Sequence, residues 1–351
     1  MTGLTAKLKT GAALSRDDVA SAVAALLEDG TGDDAKAEFL TALARKGETP
    51  EEIAAFALEL RARAVDPQIG GDLLDVVGTG ADMAQTFNIS SCVIFIAAAA
   101  GMAVAKHGNR AVTSKCGSAD VLAALGANIE MSPAAARRCL EETGLTFFFA
   151  PLYHPSFKKI APVRKKLAER KQRTVFNILG PLVNPARPTH QVIGVFDRTL
   201  VERYAEVLRL LGLKHAMVVH GACDAAGGGG LDEFSILGPN QVAELWGKRI
   251  EVSEKTFPYR PSDIQISVPS LRHLEGGDPA INAQIIRNVL KGDDRGPKRD
   301  IVLLNAAAAL VTAEKAPDFP TGWTLAAELI DSGAARAKLE AFVEATRGES
   351  S

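Results

Sequence analysis

Apolar residues recur at helical spacing through the N-terminal part of the chain: Val19, Val23, Leu26 and Leu27, then Phe39, Leu40 and Leu43, then Ile53, Phe56, Ala57 and Leu60. Start signals accompany the pattern. Ser15 precedes Asp17 and Asp18, and Thr49-Pro50-Glu51-Glu52 sets a capping hydroxyl, a first-turn proline and two acids at a helix start. Residues 1–70 therefore read as a small helical domain that ends at Asp66-Pro67 and Gly70-Gly71. From Leu73 the period changes. Short β-rich runs at Leu73–Val77, Val104–Lys106, Thr146–Phe149, Val192–Phe196 and Ala216–His220 alternate with helical stretches at Ala119–Leu125, Pro133–Glu142 and Leu200–Leu211. Strands alternating with helices predict an α/β domain over 71–351 with a mostly parallel central sheet flanked by helices, and ligands at the carboxyl ends of the strands. FSILG, QVAELW and RIEVSE predict a short antiparallel meander. Helices are expected at Ala280–Leu290, Asp300–Ala313 and Leu325–Arg347.

One segment interrupts this order. From His154 to Arg173 the chain carries eight Lys or Arg against the single acid Glu169. It reads either as a solvated helix face or as a hinge segment, about 155–180, that joins the two domains and raises local anion concentration.

Composition narrows the class. The chain has 351 residues, 47% of them apolar, with 40 Lys+Arg against 42 Asp+Glu and a formal net charge of −2. At roughly 150 residues per domain this length predicts about two domains, and the apolar content rules out disorder as the main state. The near-neutral balance gives no global drive toward nucleic acid or an anionic membrane. The longest apolar run, Cys92–Ala105, has 14 residues, short of the roughly 18 that a spanning helix needs. The N-terminal MTGLTAKLKTGAAL lacks a continuous apolar core, so a cytoplasmic location is expected. Cys92, Cys116, Cys139 and Cys223 form no CxxC pair, which suggests neither a zinc knuckle nor a redox motif.

Three clusters carry candidate chemistry. Asp75-Val76-Val77-Gly78-Thr79-Gly80-Ala81-Asp82 runs off a strand and reaches Thr86-Phe87-Asn88-Ile89-Ser90-Ser91 at the start of the apolar helix. Glycines there let the backbone approach a ligand, and hydroxyl and amide groups at a helix N-terminus favour phosphate. It reads as a phosphate or pyrophosphate cradle, or as an ordinary glycine turn before a capped helix. Met83 breaks the G-x-G-x-x-G spacing, and no P-loop is present. The second cluster, Lys106-His107-Gly108-Asn109-Arg110 with Thr113-Ser114-Lys115-Cys116-Gly117-Ser118, offers three cations and a second glycine-rich helix start. Two such loops at successive strand ends would face each other across one cleft. His107 is either a core histidine or a substrate contact. The third cluster, Gly227 to Gly230 followed by Leu231-Asp232-Glu233, sets adjacent carboxylates on what reads as a mobile loop. Such a pair suits Mg²⁺, which takes one or two carboxylates plus water and substrate phosphates, or is a solvated acidic turn.

GTGAD with NIS, KHGNR with AVTSK-x-GS, HP with APVRK, TVFNILGPLxNP, GLDE and RDIVLLNAAAAL stand in this order over about residues 15–345, and together the chain resembles the anthranilate phosphoribosyltransferases. KHGNR and FNILGPLxNP are the specific elements. The resemblance implies a homodimeric enzyme of the nucleoside-phosphorylase-like fold that joins anthranilate to phosphoribosyl pyrophosphate and releases pyrophosphate, with magnesium. It implies a donor site at Gly78, Ala81, Asp82, Thr86, Asn88, Ser90, Ser91, Lys106 and Ser118. Anthranilate contacts are implied at Gly78, His107, Asn109, His154 and Arg164, with the segment before Pro181 lining that pocket. Metal positions are implied at Ser90, Asp232 and Glu233. Ala81 stands where the family usually has glycine, and Ser91 where threonine is common. No general base is assigned, because an aromatic amine is neutral at pH 7. The rival readings are a nucleoside phosphorylase of the same fold, disfavoured by Asn109 and Arg164, and a non-enzymatic nucleic-acid binder using the basic run, disfavoured by the net charge.

Overall fold

The computed structural model describes residues 1–80, 84–111, 115–224, 226, 228–257 and 269–348. Four helices come first, α1 (Thr2–Lys9), α2 (Arg16–Leu26), α3 (Asp33–Lys46) and α4 (Pro50–Ala62). The predicted caps are in place: Ser15 and Asp18 form one reciprocal capping box, Thr49 and Glu52 the other. Glu52 also takes the Lys46 ammonium at 2.7 Å and the Leu14 N–H at 2.8 Å, so one buried carboxylate ties three elements together.

The α/β part follows in chain order with β1 (Leu74–Gly78), α5 (Ile89–Ala99), β2 (Val104–Gly108), α6 (Ser118–Leu125), α7 (Pro133–Thr143) and β3 (Leu145–Phe149). Then come α8 (Ala150–Tyr153), α9 (Ala161–Glu169), β4 (His190–Gly194), α10 (Leu200–Leu210), β5 (His215–Gly221), β6 (Asn240–Trp246) and β7 (Arg249–Lys255). Helices α11 (Pro279–Lys291), α12 (Pro297–Thr312), α13 (Phe319–Asp331) and α14 (Ala334–Arg347) complete it. The sheet order is β3-β2-β1-β4-β5-β6-β7. The first five strands in that order are parallel, and β6 and β7 extend the edge antiparallel. The predicted α/β class with a mostly parallel sheet is borne out. Two expectations are corrected. FSILG forms no strand, because the Asn240 side-chain amide accepts from the Ser235 N–H and donates to the Ser235 carbonyl, folding the segment into a buried turn. The helix expected over Leu325–Arg347 breaks into α13 and α14 at Gly333, whose φ of 80° no α-helix accommodates.

Two apolar layers sandwich the sheet. One packs α5, α6, α7 and α11 to α14 against one face. The other joins α1 to α4, α9 and α10 to the opposite face. The basic segment belongs to this second layer. Ile160, Val163 and Leu167 bury there, Lys159 meets Asp29 at 2.8 Å and Lys166 meets Asp34 at 2.6 Å. Two of its eight cations thus grip α3 and the loop before it. No helix among the described residues is long and apolar enough to cross a membrane.

Candidate functional site

Strand order reverses at β1. From there the chain moves outward to β2 and β3, then returns to β4 on the other side, so a crevice opens beyond the carboxyl ends of β1 and β4. Gly78 and Gly194 end these strands and are register partners. Neither has room for a side chain. A Cβ on Gly78 would lie 2.2 Å from Asp232 Oδ2, and one on Gly194 would lie 1.5 Å from the Asp232 carbonyl oxygen. The Asp232-Glu233 segment therefore lies directly on the two strand ends.

That segment is pinned, contrary to the mobile loop expected from its glycines. Leu231 pairs with Gly221 on its N-terminal side. On the other side Phe234 exchanges two hydrogen bonds with Asn305 of α12, each 2.9 Å. Asp232 Oδ2 accepts from the Gly80 N–H at 2.6 Å, and Glu233 Oε1 accepts from the Ser90 N–H at 3.1 Å at the start of α5. Lys106 arrives from β2 with its ammonium buried, donating to Val76 O at 2.6 Å and to Ser90 Oγ at 3.2 Å. Burial pulls the Lys106 pKa down, and Asp75, Glu233 and Asp232 oppose that pull. Acid pair, ammonium, hydroxyl and helix N-terminus thus converge at the switch point. Among the described residues the acid pair and Ser90 offer a metal oxygen donors, and no group of three or more His, Cys, Asp or Glu there could cage an ion. Such a set fits Mg²⁺ shared with substrate phosphates.

The other residues that the resemblance implies for the donor site scatter more. Thr86 bridges Glu275, Ser118 opens α6 with its hydroxyl over Gly108, and Ser91 is buried with its Oγ unbonded among the described residues. Asn88 is the N-cap residue of α5 but makes no side-chain cap bond, since its amide reaches Cys116 O and Asn282 instead. Ala81 and Asp82 lie outside the described residues. Of the three cations expected in the second cluster, Lys106 belongs to the core of the site, whereas Arg110 pairs with Asp120 at 3.1 Å and Lys115 is exposed.

A column of rings borders the β2 end. His107 meets His154 edge-on at 5.3 Å, His154 stacks on Phe157 at 4.9 Å, Phe157 meets Phe176 at 5.9 Å, and the Arg164 guanidinium lies 5.4 Å from the Phe176 ring. Burial pushes His107 down to about 3 and His154 down to about 4, so both imidazoles are neutral near pH 7. His154 Nε2 is 2.9 Å from Val183 O. Asn109 follows on the exposed side, its Oδ1 accepting from the Arg110 N–H at 2.8 Å. Flat apolar rings ending in one guanidinium suit a flat ring that carries a carboxylate.

The stretch from Pro181 to Asn184, which follows the expected pocket-lining segment, is locked from below. Asn184 donates to Asp75 Oδ2 at 2.9 Å and to Ala105 O at 2.7 Å, Gln191 donates to Pro181 O at 2.7 Å, and Arg61 of α4 donates to Leu182 O at 2.7 Å. Gly194, Asn282 and Asn184 were not singled out for a role from the sequence, and Asp75 only opened the first cluster without a role of its own. Asn184 had a signal inside GPLxNP.

A model of the glycosyl transferase family a/b domain matches residues 70–336, and one of the helical bundle domain of the same family matches residues 2–64. The anthranilate phosphoribosyltransferase of Roseiflexus sp. (strain RS-1) is 45% identical over 335 residues, covering 95% of each chain. The chain belongs to the anthranilate phosphoribosyltransferase family. The Rubrobacter xylanophilus member is 44% identical, with 97% of this chain and 96% of that one covered. Among solved members, the Thermus thermophilus structure superposes with a TM-score of 0.87 at 39% identity, over 98% of this chain and 99% of that one. The Saccharomyces cerevisiae enzyme in complex with phosphoribosyl pyrophosphate and Mg superposes with a TM-score of 0.85 at 26% identity, over 99% and 98%. Family membership bears out the resemblance read from the motifs, and it sets aside the nucleic-acid binder.

Proposed function

We infer that this chain transfers the phosphoribosyl group of phosphoribosyl pyrophosphate to the amine of anthranilate, releasing pyrophosphate, in tryptophan biosynthesis. The observation that supports it most strongly is similarity over nearly the whole chain to enzymes of that name, one of them solved with phosphoribosyl pyrophosphate and Mg. The geometry supplies the roles. Displacement at the anomeric carbon builds negative charge on the departing diphosphate, and that charge needs stabilising donors. Lys106 and the N-terminal amides of α5 and α6 face the diphosphate, each such donor typically contributing about 3 kcal/mol. Asp232 and Glu233, with Ser90, hold Mg²⁺, which supplies charge neutralisation on the diphosphate. Gly78, Ala81, Asp82, Thr86, Asn88, Ser91 and Ser118 complete the donor site by their place in the family motifs.

Arg164 holds the anthranilate carboxylate, and the His107, His154 and Phe157 rings with Asn109 and Gly78 border the acceptor. The acceptor amine arrives neutral, and burial holds His107 and His154 down at about 3 and about 4, which makes both weak proton acceptors, so catalysis rests on positioning and charge rather than on a strong base. The chain acts in the cytoplasm as a homodimer, with residues 1–70 and 71–351 as its two domains joined through about 155–180. A fluorescence assay of anthranilate consumption tests the activity. Loss of signal that requires both phosphoribosyl pyrophosphate and Mg²⁺ supports it. Phosphate-dependent release of a base from a nucleoside, without anthranilate consumption, would instead identify a phosphorylase.

A further inference from the structure

Helix α11 sits outside every motif that marks the site, yet one of its side chains reaches the site's framework. Asn282 is buried, and its Oδ1 accepts from the Gly277 N–H at 2.7 Å. Its Nδ2 donates to Asn88 Oδ1 at 2.9 Å, and Asn88 Nδ2 in turn donates to Cys116 O at 3.1 Å. Both ends of this relay are backbone groups with one possible role each: an N–H can only donate and a carbonyl can only accept. The polarity of both amides is therefore fixed, and neither can flip without breaking a bond at each end.

The relay connects three loops. Asn88 begins α5, two residues before Ser90. Cys116 precedes Gly117 and Ser118, which begin α6. Gly277 belongs to a turn that pairs with the strand-end loop through Phe87 N–H to Leu274 O at 3.1 Å and Gly276 N–H to Gln85 O at 3.0 Å. That turn packs so closely that a Cβ on Gly276 would lie 2.6 Å from Asn282 Oδ1 and 2.7 Å from Phe87 Cα. The two helix N-termini offered to the diphosphate are thus held at a fixed separation by one chain of amides anchored in α11.

We propose that Asn282 is a positioning residue for the diphosphate of the donor: acting through Asn88, it sets the spacing between the N-termini of α5 and α6. This rests on the phosphoribosyl-transfer reading of the same site. Asn282→Ala removes the relay without adding charge. Leaving the Asn88 amide and the Gly277 N–H without their partner should weaken donor affinity by about tenfold. The expected result, by titration calorimetry with phosphoribosyl pyrophosphate and Mg²⁺, is that rise in Kd, with the KM for anthranilate changed by less than about twofold.

A double-mutant cycle tests the route: in the Asn88→Ala background, Asn282→Ala should cost donor affinity clearly less than it does in the wild type. Full additivity, or equal losses for donor and acceptor, would overturn the proposal and leave Asn282 a packing residue. Hydrogen exchange keeps the two levels apart. Faster exchange at residues 88–91 and 116–119 in unliganded Asn282→Ala, with the melting temperature nearly unchanged, supports the relay even if the wild type binds no phosphoribosyl pyrophosphate. Unchanged exchange there refutes the relay even if it does.

Discussion

Gly194→Ala places one methyl group against the most constrained contact of the site. Its Cβ would stand 1.5 Å from the Asp232 carbonyl oxygen, 2.0 Å from the carbonyl carbon and 2.8 Å from Cα. Carbon contacts settle near roughly 3.5 Å, so the Asp232 backbone must withdraw by about 2 Å. It cannot do so alone, because Leu231 is paired with Gly221 and Phe234 is clamped by Asn305. The displacement therefore passes into the Asp232 and Glu233 carboxylates and their bonds to Gly80 and Ser90. Overpacking of this kind costs about 1–3 kcal/mol of stability, whereas a 1 Å misplacement of a catalytic group can cost about a hundredfold in rate. The expected outcome is a kcat/KM at least about 100-fold below wild type, with a melting temperature lowered by only a few degrees. Gly70→Ala, whose Cβ meets nothing within 4 Å, is the matched control. Anthranilate fluorescence and a thermal melt read both quantities. A folded Gly194→Ala enzyme within about threefold of wild type would refute the claim that Asp232 and Glu233 must sit where these strands end.

Replacing the acid pair (Asp232→Ala with Glu233→Ala) should abolish the Mg²⁺ dependence and collapse kcat while the far-ultraviolet dichroism stays native; unaltered turnover would remove the metal role. Arg164→Ala should raise the anthranilate KM about 10- to 100-fold, the usual range for a lost charged hydrogen bond, and leave phosphoribosyl pyrophosphate affinity nearly unchanged; equal losses would defeat its assignment to the carboxylate. Stability should fall as pH drops below about 6.5. His107 and His154 stay neutral in the fold down to about 3 and 4 while the unfolded chain takes up their protons, so each removes about 1.4 kcal/mol per pH unit over its interval. Asp75 opposes them, since burial raises its carboxyl to about 6 and the fold binds its proton first; Asp75→Asn should therefore steepen the pH dependence of the melting temperature, and a flat profile for both proteins would contradict the buried neutral histidines.

Much of the fold was legible because the parallel part of the sheet is buried on both faces. Its strands are short apolar runs, and the helices between them carry the 3.6-residue period, so all five parallel strands fell within a residue or two of the sequence expectation. What escaped depended on tertiary partners. The turn at FSILG looks like a strand until Asn240 is seen to fold back on Ser235, and the break before Ala334 hangs on the φ of one glycine. At the site the same division holds. Asp232, Glu233, Ser90 and Lys106 were visible because their chemistry is written in residue type and order. Gly194 was not, since its need for hydrogen at Cα arises from a segment some forty positions away. Asn282 was missed for the same reason, and Asp75, though it opens the first cluster, gave no sign of the Asn184 amide it holds, because a buried polar group in an apolar run shows nothing of the loop it will meet.

The central claim is that the Gly78 and Gly194 strand ends, Lys106 and the Asp232-Glu233 pair form one site for a diphosphate and its cation. Titration calorimetry of the purified protein with phosphoribosyl pyrophosphate, with and without Mg²⁺, addresses it most directly. The account predicts saturable binding that strengthens with Mg²⁺ and loses that strengthening in the Asp232→Ala, Glu233→Ala protein. Absence of binding under either condition, or an identical Mg²⁺ response in the doubly substituted protein, would contradict it.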